Sequence, residues 1–284
     1  MPHHCEAGSA TEKGRRRNNQ DAVRVEADLG YAIVADGMGG AAAGEVASRL
    51  AVEAVSELVT ARLPRVRSEE EIAALLREAI DEANRRIYAA AEETPDLRGM
   101  GTTVVLVLVR DGRFWAVNVG DSRAYRLRDR DLRQLSREHS LVQTRVEAGL
   151  ITPEEALHQP DRNVLTRAAG TNPAVEPEVV QGEVEAGDTF LLTSDGVHGV
   201  LSAEALLQSA SGEAPQTAAR RLVAEALAQG SNDNATAAVL RVLDDPVEPS
   251  PEDPESSLDS ILQRPLVRPS KPRSSGSLPW TALA

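Results

Sequence analysis

A nearly unbroken run of Val and Leu over residues 102–109 constrains the fold of this 284-residue chain more than any other feature. The run leads to Asp111-Gly112, a dipeptide typical of tight hairpin turns, and apolar residues return over 114–119. A continuous apolar strand is buried on both faces. An antiparallel strand usually alternates instead, because one of its faces meets water. We therefore expect this hairpin to lie in a sheet that is covered on both sides.

The segments around the hairpin supply the layers that would cover it. Apolar residues recur at helical spacing over 45–63, and again after Ser68-Glu69-Glu70-Glu71, which has the composition of a capping box. Further strands are expected at 22–27, 31–35, 123–127, 132–135, 188–193 and 235–243, and further helices at 215–229 and from Thr152. We predict an α+β fold, a four-layer α-β-β-α sandwich in which two antiparallel sheets pack face to face and helices cover both outer faces.

The composition changes near Leu243 and indicates a domain boundary. Residues 244–284 contain eight Pro and eight Ser, a composition that buries too little apolar surface to offset the entropy of ordering the chain. We expect residues 1–14 to form an N-terminal extension, residues 15–243 to form one domain, and residues 244–284 to form a Pro/Ser-rich disordered tail.

The charge balance argues against some classes of partner. Lys and Arg number 31 against 44 Asp and Glu, a formal net charge of −13. Proteins that bind phosphate backbones normally carry a basic surface, so we expect no nucleic-acid partner and no metal-dependent nuclease. No apolar run reaches the roughly 20 residues of a membrane span, and the first residues lack a signal-peptide pattern. With one cysteine in the chain, we expect a cytoplasmic protein.

Five aspartates stand next to apolar strands. Asp36 and Asp195 each follow an apolar segment and precede a glycine. Asp121 also follows an apolar segment, whereas Asp21 and Asp233 stand just before predicted strands. A single Asp-Gly is equally typical of a turn, but five carboxylates brought together would repel one another strongly unless cations compensated them. Oxygen ligands without thiolate or imidazole partners favour Mg²⁺ or Mn²⁺, so the pattern predicts a metal site.

These aspartates belong to a series of motifs that resembles a known family. In chain order the motifs are Arg16-Arg17-Asn18-Asn19-Gln20-Asp21, Val34-Ala35-Asp36-Gly37-Met38-Gly39-Gly40, Gly101-Thr102-Thr103, Val119-Gly120-Asp121-Ser122-Arg123-Ala124-Tyr125, Leu165-Thr166-Arg167-Ala168, Leu192-Thr193-Ser194-Asp195-Gly196 and Asp233-Asn234-Ala235-Thr236. Each is weak alone, but together they cover most of the chain. They resemble the metal-dependent serine/threonine protein phosphatases (type 2C, also called PPM) in their bacterial form, which implies a catalytic domain over residues 15–243.

The resemblance implies a binuclear metal centre at the edge of the sandwich. By this likeness Asp36 bridges two Mn²⁺ or Mg²⁺ ions, and the carbonyl of Gly37 contacts one of them. Asp195 and Asp233 resemble the ligands of the first ion. Asp21 resembles a residue on the side of the second ion, where it acts partly through water.

The resemblance also implies a reaction. Asp121, with Asp195, resembles the residues that hold a third, weaker ion in bacterial members. Arg16 resembles the arginine that binds the substrate phosphate, and its planar guanidinium suits two phosphate oxygens. With Arg16 and Asp36 as catalytic residues, the implied activity is hydrolysis of phosphoserine and phosphothreonine by in-line attack of a metal-bridging hydroxide, without a covalent intermediate.

The implied partners are phosphorylated proteins of a serine/threonine kinase pathway, and we expect a monomer. Residues 140–163 resemble the variable flap of the family, a mobile loop with a short helix that shapes the choice of protein substrate. The alternative hypothesis is a catalytically weak pseudophosphatase that binds phosphoproteins as a regulator. Phosphopeptide binding without Mn²⁺-dependent hydrolysis would favour that alternative.

The chain departs from the family pattern at two positions. Gln20 stands where many relatives have Glu, which removes one carboxylate near the second ion. Met38 stands where eukaryotic members have the histidine thought to protonate the leaving group, so the hypothesis for the general acid is a metal-bound water. His139 lies in a family motif and is interpreted as structural, and His198 is a weaker candidate for contact with substrate.

Overall fold

A computed structural model describes residues 4–40, 42–156 and 158–243, and the tail predicted for residues 244–284 lies outside them. The strands are β1 Cys5–Glu12, β2 Asp21–Glu26, β3 Tyr31–Met38, β4 Gly101–Thr102, β5 Val104–Arg110, β6 Arg113–Val119, β7 Arg123–Arg128, β8 Asp131–Gln134, β9 Glu178–Glu183, β10 Thr189–Thr193 and β11 Ala235–Val242. The helices are α1 Ala43–Arg62, α2 Glu69–Glu93, α3 Leu141–Glu147, α4 Pro153–Ala156, α5 Asp195–His198, α6 Ala203–Ala210 and α7 Pro215–Ala228.

The strands form two antiparallel sheets. The first sheet has the order β1-β11-β10-β7-β8, and the second has the order β2-β3-β5-β6-β9, with β4 paired to β3. The predicted hairpin joins β5 to β6, with Arg110 opposite Arg113. Asp111 and Gly112 have φ angles of 49° and 80°, the left-handed backbone that a two-residue hairpin turn of type I′ requires. The arrangement confirms the predicted α+β sandwich.

Strand β5 shows why the apolar run is continuous. Val105 and Val107 lie in the core between the two sheets. Leu106 and Leu108 point the other way and pack in the core beneath α1 and α2. All four side chains are buried, so the strand needs an apolar residue at every position.

The other layers are built in the same way. Helices α6 and α7 cover the outer face of the first sheet through a core that includes Leu206, Leu222 and Val239. Between the sheets, Phe114 of β6 meets Phe190 of β10 with their ring centroids 5.2 Å apart. No helix within the described ranges combines the length and apolarity needed to cross a membrane.

The capping box predicted at the start of α2 is present. The backbone N–H of Glu71 donates to the Ser68 hydroxyl oxygen at 3.2 Å, and the Glu71 carboxylate accepts from the Ser68 N–H at 3.3 Å. Two of the N–H groups that the first turn cannot satisfy within the helix thereby gain partners, which fixes where the helix begins.

The first strand corrects the expectation that residues 1–14 form an extension outside the domain. Strand β1 pairs along its full length with β11, from Cys5 opposite Val242 to Glu12 opposite Ala235. Its sequence, CEAGSATE, has few β-branched or aromatic residues, so local propensity did not reveal it. The pairing partner, more than 220 positions later in the sequence, defines this strand.

Gly8 offers a test of how closely β1 packs against α7. A Cβ atom at Gly8 would lie 2.3 Å from the backbone of Gln216, so Gly8→Ala must push the strand and helix apart. We expect this overpacking to lower the free energy of unfolding by about 1–3 kcal/mol in urea titrations. The matched control is Glu6→Ala on an exposed position of the same strand, which should change it by less than about 0.5 kcal/mol. Equal stability of the two variants would contradict the close packing.

Candidate active site

A cavity of about 480 Å³ lies where β3 ends and where α5 and β11 begin. Six of the seven predicted site residues line it, namely Arg16, Asp36, Gly37, Asp121, Asp195 and Asp233. Asp21 does not line the cavity, although it stands opposite Asp36 in the β2–β3 pair. The cavity also includes Asn163, the last residue of the predicted flap, and Leu165, which belongs to a family motif but had no predicted role. Residues far apart in the chain thus meet at one edge of the sandwich.

The backbone of Asp36 is fixed by two threonines. Its N–H donates to the Thr103 hydroxyl at 3.0 Å, and its carbonyl accepts from the Thr103 N–H at 2.8 Å and from the Thr102 hydroxyl at 2.9 Å. The Thr103 hydroxyl also lies 2.7 Å from that of Ser122, the neighbour of Asp121. The Gly-Thr-Thr motif therefore links the segments that carry Asp36 and Asp121.

Two glycines beside the aspartates are required by close backbone contacts. A Cβ atom at Gly37 would lie 2.0 Å from the carbonyl oxygen of Gly44, and one at Gly196 would lie 1.8 Å from the carbonyl oxygen of Asn234. Neither glycine has a positive φ, so turn geometry does not explain them. The Asp-Gly pairs exist here because another segment passes directly against the backbone.

Asn234 holds the loop that carries Arg16. Its side-chain oxygen accepts from the N–H of Gln20 at 2.8 Å. Its side-chain amide donates to the carbonyls of Lys13 at 2.9 Å and Asn18 at 3.0 Å. Asn234 belongs to a family motif, but its role could not be seen in the sequence, since its three partners belong to a loop more than 210 positions away. We infer that Asn234 positions this loop beside Asp233.

The carboxylates destabilise one another's charge. Burial first, and then the nearby charges of Asp195 and Asp233, raise the pKa of Asp21 to about 6. Burial and the charge of Asp195 raise the pKa of Asp121 to about 7. Burial and the charges of the other four aspartates place the pKa of Asp36 well above its ordinary value. Burial also raises the pKa of Asp195. The cavity therefore favours a compensating positive charge.

The donor chemistry fits a divalent cation. The second oxygen of Asp21 accepts a hydrogen bond from the Ser194 hydroxyl at 2.8 Å, but the other buried oxygen of Asp21 and one buried oxygen of Asp195 have no hydrogen-bond partner. A buried acceptor without a partner costs about 1–3 kcal/mol. Across residues 4–40, 42–156 and 158–243, no three His, Cys, Asp or Glu side chains have the arrangement of a formed metal site. The shared cavity, the raised pKa values and the unpartnered oxygens are what favour cations here.

Arg16 reaches the cavity from the loop after β1. Its guanidinium donates to a carboxylate oxygen of Asp233 at 2.6 Å. The side chains are 54% and 33% exposed, and an ion pair this exposed contributes little to stability. The guanidinium can therefore exchange Asp233 for an anionic ligand at small cost.

The structure shows what surrounds Gln20 and Met38, the two departures from the family pattern. The Gln20 side-chain amide donates to the carbonyl of Gly40 at 2.6 Å, a contact that a glutamate carboxylate could not make. Met38 lines the cavity and carries no titratable proton. The side chain at position 38 therefore cannot act as a general acid.

The two histidines near the site are held inside the domain. The Nδ1 atom of His139 accepts from the backbone N–H of Gly120 at 3.1 Å, and the backbone N–H of His139 donates to the Gly120 carbonyl at 2.8 Å. Burial lowers the pKa of His139 to about 4. His198 lies with its Nδ1 atom 2.9 Å from the Thr193 hydroxyl, and burial lowers its pKa strongly. Neither lines the acidic cavity, although His198 lines a second cavity beside it, and His139 supports the turn that leads to Asp121.

Comparison with known proteins defines the class to which this fold and cavity belong. The sequence model of protein phosphatase 2C matches residues 10–243. The serine/threonine protein phosphatase PstP of Mycobacterium tuberculosis is 42% identical over 229 residues, which are 81% of this chain and 43% of that protein. The serine/threonine phosphatase stp of Listeria monocytogenes is 41% identical over 194 residues, which are 66% of this chain and 75% of that protein.

Solved structures agree with the sequence relatives. The crystal structure of M. tuberculosis PstP has a TM-score of 0.78 at 37% identity and covers 86% of this chain and 100% of the other. The catalytic domain of PstP in complex with two manganese ions has a TM-score of 0.76 at 38% identity and covers 84% of this chain and 99% of the other. The chain therefore belongs to the protein phosphatase 2C family. It spans less than half the length of the full PstP protein.

The raised carboxyl pKa values predict how the metal-free protein responds to pH. A carboxyl with a higher pKa in the folded than in the unfolded chain binds its proton more tightly when folded, so the folded state gains stability as the pH falls through that pKa. With pKa values of about 7 for Asp121 and about 6 for Asp21, protein in EDTA should melt at a higher temperature near pH 6 than near pH 8.

Substitution of Asp121 separates this effect from other titrations. Asp121→Asn removes one of the mutually repelling charges, so the variant should melt at a higher temperature than the parent near pH 8 and show a smaller gain on acidification. The control is Asp96→Asn at an exposed position, which should leave the pH profile unchanged. If the melting temperatures of the parent and of Asp121→Asn changed equally between pH 8 and pH 6, the repulsion argument would be refuted.

Proposed function

We propose that this chain is a metal-dependent protein serine/threonine phosphatase that hydrolyses phosphoserine and phosphothreonine in proteins. The observation that carries the proposal is one cavity lined by four aspartates and two arginines, Arg16 and Arg17, in a domain of the protein phosphatase 2C family. Its relatives in Mycobacterium and Listeria are named as serine/threonine phosphatases.

The carboxylates are the proposed metal ligands. The charges of the other four aspartates all raise the pKa of Asp36, so Asp36 is assigned to both ions together with the Gly37 carbonyl. Asp195 and Asp233 are assigned to one ion, and Asp21 to the side of the other. Two divalent cations at such a site lower the pKa of a shared water and neutralise charge on the phosphoryl group. Four aspartates balance the charge of two such ions.

The number and identity of the metal ions are also part of the proposal. The two manganese ions in the PstP catalytic domain support a site for two ions in this chain, filled by Mn²⁺ or Mg²⁺. Asp121 and Asp195 are proposed to hold a third, weaker ion, since burial and the charge of Asp195 raise the pKa of the Asp121 carboxyl. Carboxylate oxygens suit both cations.

Arg16 is the proposed phosphate-binding residue. It lines the acidic cavity and presents a planar guanidinium that can donate two parallel hydrogen bonds to phosphate oxygens. Its exposed ion pair with Asp233 places that guanidinium directly beside a proposed metal ligand. Substrate phosphate and cation would then be held at adjoining points, which is what in-line attack on phosphorus requires.

The physiological setting is also a proposal. We assign the chain to the reversal of serine/threonine kinase signalling in the cytoplasm, acting as a monomer on phosphorylated proteins. The alternative of a pseudophosphatase gains no support from the comparisons, because the relatives reported above are named as phosphatases. All five candidate aspartates are also present in this chain.

Removal of metal tests the proposal directly. EDTA should abolish hydrolysis of p-nitrophenyl phosphate and of phosphothreonine peptides, and Mn²⁺ in excess over EDTA should restore both, because the carboxylates alone repel an anionic substrate. Phosphate release is the measurement, and Ca²⁺ or Zn²⁺ additions give the metal specificity. Turnover that persists in EDTA would rule out the mechanism, and tight phosphopeptide binding without Mn²⁺-dependent turnover would favour the pseudophosphatase.

The role of Arg16 can be tested by substitution. Arg16→Ala should cost roughly 1.5–3 kcal/mol of interaction with the substrate phosphate, or about 10- to 150-fold in kcat/KM. Arg16→Lys should recover only part of this loss, because an ammonium group lacks the planar pair of donors. The control is Arg15→Ala, which removes the same charge from a neighbour that does not line the acidic cavity. Equal kcat/KM for the Arg16→Ala and Arg15→Ala variants would refute the assignment.

A further inference from the structure

A second cavity of about 660 Å³ adjoins the acidic one. Five residues line both cavities, namely Arg16, Asp121, Asn163, Asp195 and Asp233. A phosphorylated side chain whose phosphate lies in the acidic cavity would therefore have its own polypeptide at the mouth of the second cavity. The two spaces form one continuous surface along the predicted flap.

Part of the lining of the second cavity is apolar. Val142 and Val146 come from α3, and Pro153 and Ala156 come from α4. Val200, just after α5, contributes a further apolar side chain. Val146 and Val200 are only partly buried, so their surfaces are accessible to a ligand. Such a surface gains free energy when it covers an apolar side chain.

The charged groups of the second cavity provide less basis for selecting a substrate than its apolar residues do. Arg123 donates to the Glu138 carboxylate at 2.5 Å and to the Tyr125 hydroxyl at 3.2 Å, so its charge is compensated within the chain. Arg162 also has interactions within the chain, and it stands with the oppositely charged Glu154 in the cavity lining. With both signs present, the valines and their apolar neighbours distinguish one flanking sequence from another.

We propose that the second cavity binds the polypeptide next to the phosphorylated residue and selects substrates with an aliphatic side chain at that position. A cavity of this volume is roughly 10 Å across, and an extended residue spans about 3.3–3.6 Å, so the selected side chain lies within about three residues of the phosphate. This inference rests on the proposed phosphatase function and names the class of substrate that the same site takes.

Paired phosphopeptides test the inference. Each pair carries phosphothreonine and differs at one flanking position, Leu or Ser, scanned over three residues on each side. At one of these positions the parent protein with Mn²⁺ should show a kcat/KM about tenfold higher for Leu, the scale at which apolar pockets discriminate small changes of side chain. Equal kcat/KM for Leu and Ser at all six positions, or a preference for Ser, would overturn the inference.

Two nearly isosteric variants identify the surface. Val146→Thr and Val200→Thr preserve shape but place a hydroxyl in the cavity, so each should reduce the Leu preference at least threefold while p-nitrophenyl phosphate turnover changes less than twofold. The control is Val164→Thr, the same change at a side chain that is 48% exposed and lines neither cavity. Retention of the full Leu preference in both variants would overturn the inference.

A failure of the proposed phosphatase function can be distinguished from a failure of this inference. If the parent protein with Mn²⁺ does not hydrolyse p-nitrophenyl phosphate, the phosphatase assignment fails. The peptide pairs are then compared by fluorescence anisotropy, which measures binding without turnover. Tighter binding of the Leu peptide, lost in Val146→Thr, would still support the cavity, whereas equal binding would overturn it.

Discussion

Repulsion among five neighbouring carboxylates is the constraint on which this structure depends. Water stabilises the ionised form of an isolated aspartate. In this domain, burial and the charges of neighbouring carboxylates raise the pKa values of Asp21, Asp36 and Asp121. A flexible chain would relieve the repulsion by separating these groups. The domain prevents that separation, since rigid strands, threonine hydroxyls and close backbone contacts fix the segments that carry them. The stored repulsion becomes useful affinity when divalent cations bind.

The sandwich supplies this rigidity in a specific way. Strands β3 and β5 are buried on both faces, so the end of β3, where Asp36 lies, cannot move without disturbing two cores. Thr103 then connects Asp36 to the turn that carries Asp121, and Asn234 connects Asp233 to the loop that carries Arg16. The proposed phosphate-binding and metal-binding groups are thus positioned by hydrogen bonds between segments that lie far apart in the sequence.

Features that depend on the residues of a single segment could be predicted from the sequence. The β5–β6 hairpin, the capping box at Ser68 and the aspartates beside strands were recognisable because composition and spacing are local properties. Strand β1 was missed because its residues have weak strand propensity and its partner lies far along the chain. The role of Asn234 and the second cavity were missed for a related reason, since each combines atoms from segments that only the folded chain brings together.

The pairing of β1 with β11 has a consequence for biosynthesis. The first strand of the domain can form its ladder only with the last one, so this edge of the sheet stays open until Val242 has left the ribosome. At elongation rates of roughly 5–20 residues per second, residues 5–12 wait more than ten seconds for their partner. Closure of this sheet is therefore a late event in biosynthesis, because it becomes possible only after nearly the whole domain has been translated.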